Sequence, residues 1–296
     1  MDVSSIFMIY HLKIQIDHWI KHMKRVVVTL TDAGYYHKVK RTIIDIRSRG
    51  QWTEDLVLIT VGFDAPRNFI DYYRIIPYRV EHIDTSYLLE QYKKCPIRPT
   101  CDNREFGKLT QWDKFYVFDK WFLQWDRVIY FDAGMRILDS IHCLADLPCD
   151  GAFMAPDDCA PYDASGVFSR IIEIDRNPSV VEQLFQEYPR DILDRRYFLN
   201  CIWMYDTALL HTITMSDMVE CMNRYPICRC NEMTILNLLF TMKHGVWKPF
   251  PEWIQKDGEQ KRLFGWSECN DHYGHHNTWR NFCFLKYATS ISFECE

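Results

Sequence analysis

Trp125-Asp126-Arg127-Val128-Ile129-Tyr130-Phe131-Asp132-Ala133-Gly134-Met135-Arg136-Ile137-Leu138 is the stretch whose reading decides the fold. Its apolar run of β-branched and aromatic residues, up to Phe131, is the pattern of a strand buried on both faces. Asp132 ends the run, Gly134 marks a turn, and the chain returns to apolar residues by Leu138. Before it, Leu109, Trp112, Phe115, Tyr116 and Leu123 predict one long amphipathic helix that feeds into the strand. Further back, Arg25 to Thr31 (RVVVTLT) is a second buried strand type. Tyr36, Val39, Ile43 and Ile46 follow at helical period, and Gly50 is placed to stop that helix. Asp55 to Thr60 (DLVLIT) reads as a strand, and Arg79 to Ile83 as a further one. Strands alternating with helices in this order predict an α/β chain with a Rossmann-like, mostly parallel sheet flanked by helices.

Downstream the alternation loosens. Gly151 to Ala155 reads as a short strand and Tyr197 to Tyr205 as a longer one. Asn231 is the expected N-cap of a helix running to His244, with Glu232 in its first turn, Lys243 and His244 in its last, and Gly245 beyond. From Trp247 the pattern is irregular, broken by Pro249 and Pro251, and it ends in a His- and Trp-rich stretch, Cys269 to Tyr287. There is no repeat and no linker-like run, so one domain is expected over 25–296, preceded by a partly helical arm over 1–24. Leu12, Ile16, Trp19, Ile20 and Met23 in that arm can pack on their own domain or against a second subunit in a homodimer.

Composition excludes several classes. The chain has 296 residues, enough to bury a substantial core. Its 35 basic and 40 acidic residues give a net charge of −5, which argues against a general nucleic-acid binder. No segment approaches the roughly 20 apolar residues of a membrane span. Twelve cysteines are scattered without paired CxxC motifs, and the Asn177-Pro178-Ser179 sequon is disqualified by its proline, so a reducing, cytoplasmic setting is expected.

Ligands of open parallel sheets bind beyond the carboxyl ends of the strands. The first strand leaves through Thr29-Leu30-Thr31-Asp32-Ala33-Gly34-Tyr35-Tyr36, where small hydroxylated residues let a ligand approach and an aromatic can stack on a base; a plain Thr-rich strand exit with a turn reads the same way. It has neither GxGxxG nor GxxxxGK[ST], so NAD and ordinary NTPase chemistry fall away. Asp132 suits a metal or a ligand hydroxyl, or simply starts a turn. If it faces a cleft, its removal is expected to relieve local repulsion and leave stability nearly unchanged. Asp157-Asp158 can bind acceptor or metal, or form a polar loop. Cys269, His272, His275, His276 and Cys283 show no zinc-finger spacing.

Residues 25–245 resemble, in order, the GT-A fold glycosyltransferases, most closely family 8, the type that includes glycogenin. The family's first strand is similar to Thr29, Leu30, Thr31 and Tyr36, which would place the threonines near a nucleotide and Tyr36 on uracil. Lys114 stands where the family has a helical lysine, and Trp125 to Leu138 matches its aspartate-bearing strand. Phe198-Leu199-Asn200-Cys201-Ile202-Trp203 resembles its Phe-Asn-Ser-Gly-Val-Phe strand, with Asn200 as the shared polar residue, and Glu232 to Asn237 resembles its Asp-Gln-x-x-Leu-Asn helix start. The C-terminal His-x-x-Gly-x-x-Lys-Pro-Trp loop is only distantly similar to Asp271 to Arg280.

The resemblance implies transfer of a sugar from a nucleotide-diphosphate sugar, a UDP-sugar, to a carbohydrate or protein hydroxyl, with retention at the anomeric carbon. It implies Glu232, Lys114 and Asn200 as catalytic residues and Thr29, Thr31, Tyr36, Asp132 and Arg136 around the nucleotide. The family's Asp-x-Asp is Asp132-Ala133-Gly134 here, so one metal-binding carboxylate is missing. Three options follow: weaker metal binding, Mn²⁺ or Mg²⁺ held by Asp132 with His272 and His275 as replacement ligands, or a metal-free site in which Lys114, Arg136 and Arg280 neutralise the diphosphate; the metal-assisted case is the expectation. Met233 and Ile202 replace the family's Gln and Gly, which leaves the donor sugar open. Two other readings compete: a degenerate GT-A module that binds or scaffolds, and a sugar-phosphate nucleotidyltransferase, for which Thr31 to Gly34 lacks the Gly-rich loop.

Overall fold

The computed structural model describes residues 23–96, 109–158, 167–266 and 281–286. β1 (Arg25–Asp32), β2 (Asp55–Val61), β3 (Ile76–Val80) and β4 (Arg127–Phe131) lie side by side and parallel. After β5 (Met135–Ile137), β6 (Phe153–Ala155), β7 (Ile202–Asp206) and β8 (Trp247–Pro249) complete a seven-stranded sheet in the order β3-β2-β1-β4-β7-β6-β8. Only β7 runs against the others. Helices α1 (Tyr36–Arg47), α2 (Arg67–Tyr72) and α3 (Ser86–Lys94) follow the first three strands in turn, and α4 (His142–Ala145), α5 (Pro178–Glu187) and α6 (Met215–Arg224) come later in the chain. The α/β, mostly parallel sheet expected from the alternation is the one observed.

The period-2 alternation of β1 divides the core. Val26, Val28 and Leu30 join Trp112, Phe115 and Phe118 on one face, while Val27 meets Val39, Ile43 and Ile46 of α1 on the other. Each such buried aliphatic side chain contributes about 1.5–3 kcal/mol. Among the described residues no helix is long and apolar enough to cross a membrane.

Four expectations change in detail. The single helix over 109–123 is two 3₁₀ stretches, Leu109–Phe118 and Lys120–Gln124, because Asp119 caps the second by accepting from the Trp121 amide at 2.7 Å. Trp112, Phe115 and Phe118 recur every third residue, the 3₁₀ repeat, so all three reach the core. The third strand lies at Ile76–Val80 rather than Arg79–Ile83. It is an edge strand that tolerates Pro77, and the Ile83 amide bonds to the Asp113 carboxylate instead of a ladder.

The long strand over 197–205 begins only at Ile202. Before it, the Asn237 side chain serves both the amide and the carbonyl of Phe198, at 2.9 and 3.0 Å, in place of a neighbouring strand. Finally, the tail read as irregular builds a second sheet, β5-β11-β10-β9, from β9 (Trp253–Lys256), β10 (Glu259–Trp266) and β11 (Phe282–Lys286). Asp257 and Gly258, at φ 51° and 83°, make the two-residue hairpin turn that the Asp-Gly dipeptide encodes. A β-carbon on Gly265 would collide with the Phe282 ring, so this glycine lets β10 and β11 close together.

Candidate active site

Lys114, from the first 3₁₀ stretch, is the hub. Its ammonium lies 2.9 Å from Asp132 Oδ1 and 2.9 Å from Glu232 Oε1, and it donates to the Asn200 carbonyl at 3.3 Å. The Asn200 amide donates to the same Glu232 Oε1 at 2.7 Å. Asp132 stands just past β4, Asn200 in the turn before β7, and Glu232 at the start of α7 (Glu232–Asn237), so three separate elements meet here. Sequence reading named these four residues, and the structure brings them together.

The electrostatics are those of a buried, matched network. Burial opposes the Lys114 ammonium, but Asp132 and then Glu232 outweigh it and raise its pKa above the ordinary lysine value. Burial likewise opposes the Asp132 carboxylate, yet Lys114 and Lys286 hold its pKa well below the usual carboxylate range. Tyr130 donates to Asp132 Oδ1 at 2.8 Å, and burial followed by that carboxylate pushes its phenol pKa up. Asp132 is therefore not a repelled carboxylate: its removal takes one counter-ion from Lys114, which keeps Glu232, and leaves Lys286 without its partner among the described residues, so a loss of stability is expected rather than an unchanged one.

Lys286, at the end of β11, pairs with Asp132 Oδ2 at 2.7 Å. Sequence reading missed it, because Phe282 to Lys286 was taken as part of an irregular tail. The available signal was a short apolar run, Phe-Cys-Phe-Leu, closed by a lysine. Asn231 was expected to cap α7 with its side chain, but makes no such bond. It is buried at φ 47° and ψ −131°, a conformation that costs a non-glycine residue of order 1–3 kcal/mol, directly before Glu232. Its amide donates instead to Gln111 Oε1.

Arg136 does not join the cluster. Its guanidinium is buried against Asp45 of α1 at 2.5 Å, an ion pair that ties β5 to α1. A role in neutralising a phosphate, expected from the resemblance, would have to compete with this buried pair. Gly134 holds φ +94°, with its amide bonded to Thr42 Oγ1 at 3.0 Å, a turn that any β-carbon would strain.

At the exit of β1, Thr29 and Thr31 are buried, Thr31 Oγ1 donates to the Asp32 carbonyl at 2.8 Å, and Thr29 Oγ1 has no partner among the described residues. The Asp32 carboxylate accepts from the Tyr35 amide at 2.8 Å and from Thr110 Oγ1. The Tyr36 ring meets Phe63 and Phe69 edge-on at 5.7 and 5.9 Å, and its hydroxyl has no partner among the described residues. Asp157 is paired with Arg196 at 2.6 Å. An open groove at Ile174, Pro178, Val181, Phe185 and Arg190 shares no residue with the Lys114 cluster.

A divalent ion wants several oxygen ligands from the protein. Here Asp132 offers one carboxylate, whose oxygens already serve Lys114, Tyr130 and Lys286. Among the described residues no three His, Cys, Asp or Glu side chains group as a metal site. These residues do not fit the metal that the resemblance implies. His272 and His275, expected as replacement ligands, lie outside the described residues, as does Arg280.

The fold is shared with glycosyltransferases of GT-A type. A structure of an active-site mutant of LgtC matches with a TM-score of 0.58 at 13% identity, over 88% of this chain and 86% of that one. The galactosyltransferase LgtC in complex with donor and acceptor sugar analogues matches at 0.56 and 12% identity, over 90% and 87%. The bifunctional glycosyltransferase WbbM matches at 0.55 and 12% identity, over 90% of this chain and 46% of WbbM. No family model matches the chain, and no curated protein sequence matches it.

Proposed function

We propose that this chain is a glycosyltransferase that moves a hexosyl or pentosyl group from a nucleoside-diphosphate sugar, a UDP-sugar, to a hydroxyl of a carbohydrate or protein acceptor. The observation that carries this reading is the convergence of Lys114, Asp132, Asn200 and Glu232 beyond the carboxyl end of β4, in a sheet shared with glycosyltransferases. Departure of the nucleoside diphosphate builds negative charge on the β-phosphate and positive charge at the anomeric carbon. Preorganised charges at those two places lower the barrier. Glu232 is suited to the second: Lys114 and Asn200 fix its Oε1, while Oε2 takes no hydrogen bond among the described residues. A carboxylate held beside the anomeric carbon in this way also supports retention of configuration. The expected cytoplasmic setting stays part of the proposal.

A thermal-shift screen of UDP-, GDP- and ADP-sugars, followed by an assay of donor hydrolysis, tests this. A ligand present at about 100 times its Kd stabilises the native state by ~2.7 kcal/mol, an easily read shift. A shift with hydrolysis supports the transferase, and a shift without turnover under any acceptor supports the competing non-catalytic module. No shift with any nucleotide sugar removes the reading altogether.

The nucleotide end is proposed at Thr29, Thr31 and Tyr36. Tyr36→Ala is expected to weaken UDP binding about five- to a hundredfold, the worth of base stacking on an aromatic ring, and Tyr35→Ala less. Calorimetric titration of UDP into both variants decides it, since equal losses or a larger loss at Tyr35 would put the stack on the other ring.

A further inference from the structure

Two lysines and a tyrosine occupy the carboxylate of Asp132, on which a divalent ion would depend among the described residues. Asp132 Oδ1 accepts from Lys114 and Tyr130, and Oδ2 from Lys286. Gly134, in the place of a second ligand, belongs to a turn at positive φ pinned by Thr42. A divalent ion drawn to Asp132 would stand beside two ammonium groups and be repelled by both.

The two lysines are not equivalent. Lys114 spends its three N–H groups on Asp132, Glu232 and the Asn200 carbonyl, which leaves none for a phosphate. Lys286 has one hydrogen-bond partner among the described residues, Asp132, and its side chain keeps 18% of its surface open. Among the described residues two further N–H groups have no partner, on a compact charge that reaches the site from β11.

We infer that this chain binds the diphosphate of its donor without a divalent ion, with Lys286 supplying the positive charge and Asp132 holding that ammonium in place. The inference rests on the glycosyltransferase reading above and specifies its donor site. Lys286 then stabilises the charge on the departing β-phosphate, while Lys114 orients Glu232 and Asp132 from behind.

The test is calorimetric titration of UDP, GDP and uridine into protein exhaustively treated with EDTA and into protein supplied with Mn²⁺. Binding of UDP or GDP with unchanged affinity in the two conditions is the expected result. Lys286→Met should then weaken binding of that diphosphate about ten- to a hundredfold, the worth of a charge-assisted hydrogen bond, and leave uridine unaffected. Lys286→Arg should retain most of the affinity. The EDTA comparison uses the wild-type chain and stands whether or not the methionine variant folds. Binding that requires Mn²⁺, or a folded Lys286→Met that binds UDP and GDP like wild type, overturns the inference and leaves the transferase reading in place. Failure of both UDP and GDP to bind in either condition overturns both.

Discussion

Replacing Lys114 by methionine is expected to cost about 3–5 kcal/mol of folding stability and to abolish donor turnover. The methionine matches the lysine stem in volume, so little packing is lost. What is lost is the partner of two buried carboxylates: Asp132 keeps Lys286 and Tyr130, while Glu232 keeps, among the described residues, the Asn200 amide. Breaking a buried pair from one side is expensive because the charge left behind stays desolvated. The thermal midpoint should fall by roughly 5–10 °C. A variant that melts like wild type would mean the cluster is more hydrated than its burial suggests.

The pH dependence of that loss separates charge from packing. The folded pKa of Asp132 lies below its unfolded value, so its stabilising contribution is present above about pH 4 and is lost as pH falls through the folded value. The folded pKa of Lys114 lies above its unfolded value, so its contribution is complete below about pH 10.4 and is lost only as pH rises through the folded value. Both are in force at neutrality. The gap between wild type and Lys114→Met should therefore be widest near neutral pH and shrink below about pH 4, where Asp132 takes up a proton in the unfolded chain before it does in the folded one. Denaturant melts at pH 7 and pH 3 read the gap directly, and a constant gap would assign the loss to packing.

Which parts were legible in the sequence follows from where each signal lies. The parallel strands and α1 carry their own hydrophobic periods, so β1, β2 and β4 could be read locally. Lys114, Asp132, Asn200 and Glu232 could be named because each sits in a short stretch that resembles a family motif. Lys286 has no such stretch around it, and it reaches Asp132 because β11 pairs antiparallel with β5, a contact between residues far apart in sequence. Arg136 was misplaced for a related reason. Strand periodicity tells which residues share a face, but Asp45, the partner that claims Arg136, is a buried polar residue inside an amphipathic helix. The Asp257-Gly258 hairpin was legible and went unread, since two nearby prolines drew the segment toward an irregular assignment.

Glu232→Gln is the substitution that isolates chemistry from architecture. The amide keeps an oxygen for Lys114 and Asn200, so the geometry of α7 and the strained Asn231 turn can persist. Lys114 retains Asp132 as its counter-ion, and the stability loss should be no more than about 1–2 kcal/mol. The negative charge proposed to face the sugar is gone, however, and with it the proposed stabilisation of a cationic anomeric carbon. Turnover of the donor found in the screen should fall about 10²- to 10³-fold, the usual cost of removing one preorganised electrostatic partner of a transition state. UDP affinity should change little, because the nucleotide is proposed to be held at β1 and Lys286, and Lys286 is paired with Asp132 rather than with this carboxylate. The split is the diagnostic: a large loss of kcat with UDP binding intact places Glu232 at the reacting carbon. A variant that turns over donor at the wild-type rate would reduce Glu232 to the counter-ion of Lys114, and the cationic carbon would have to be stabilised by another group.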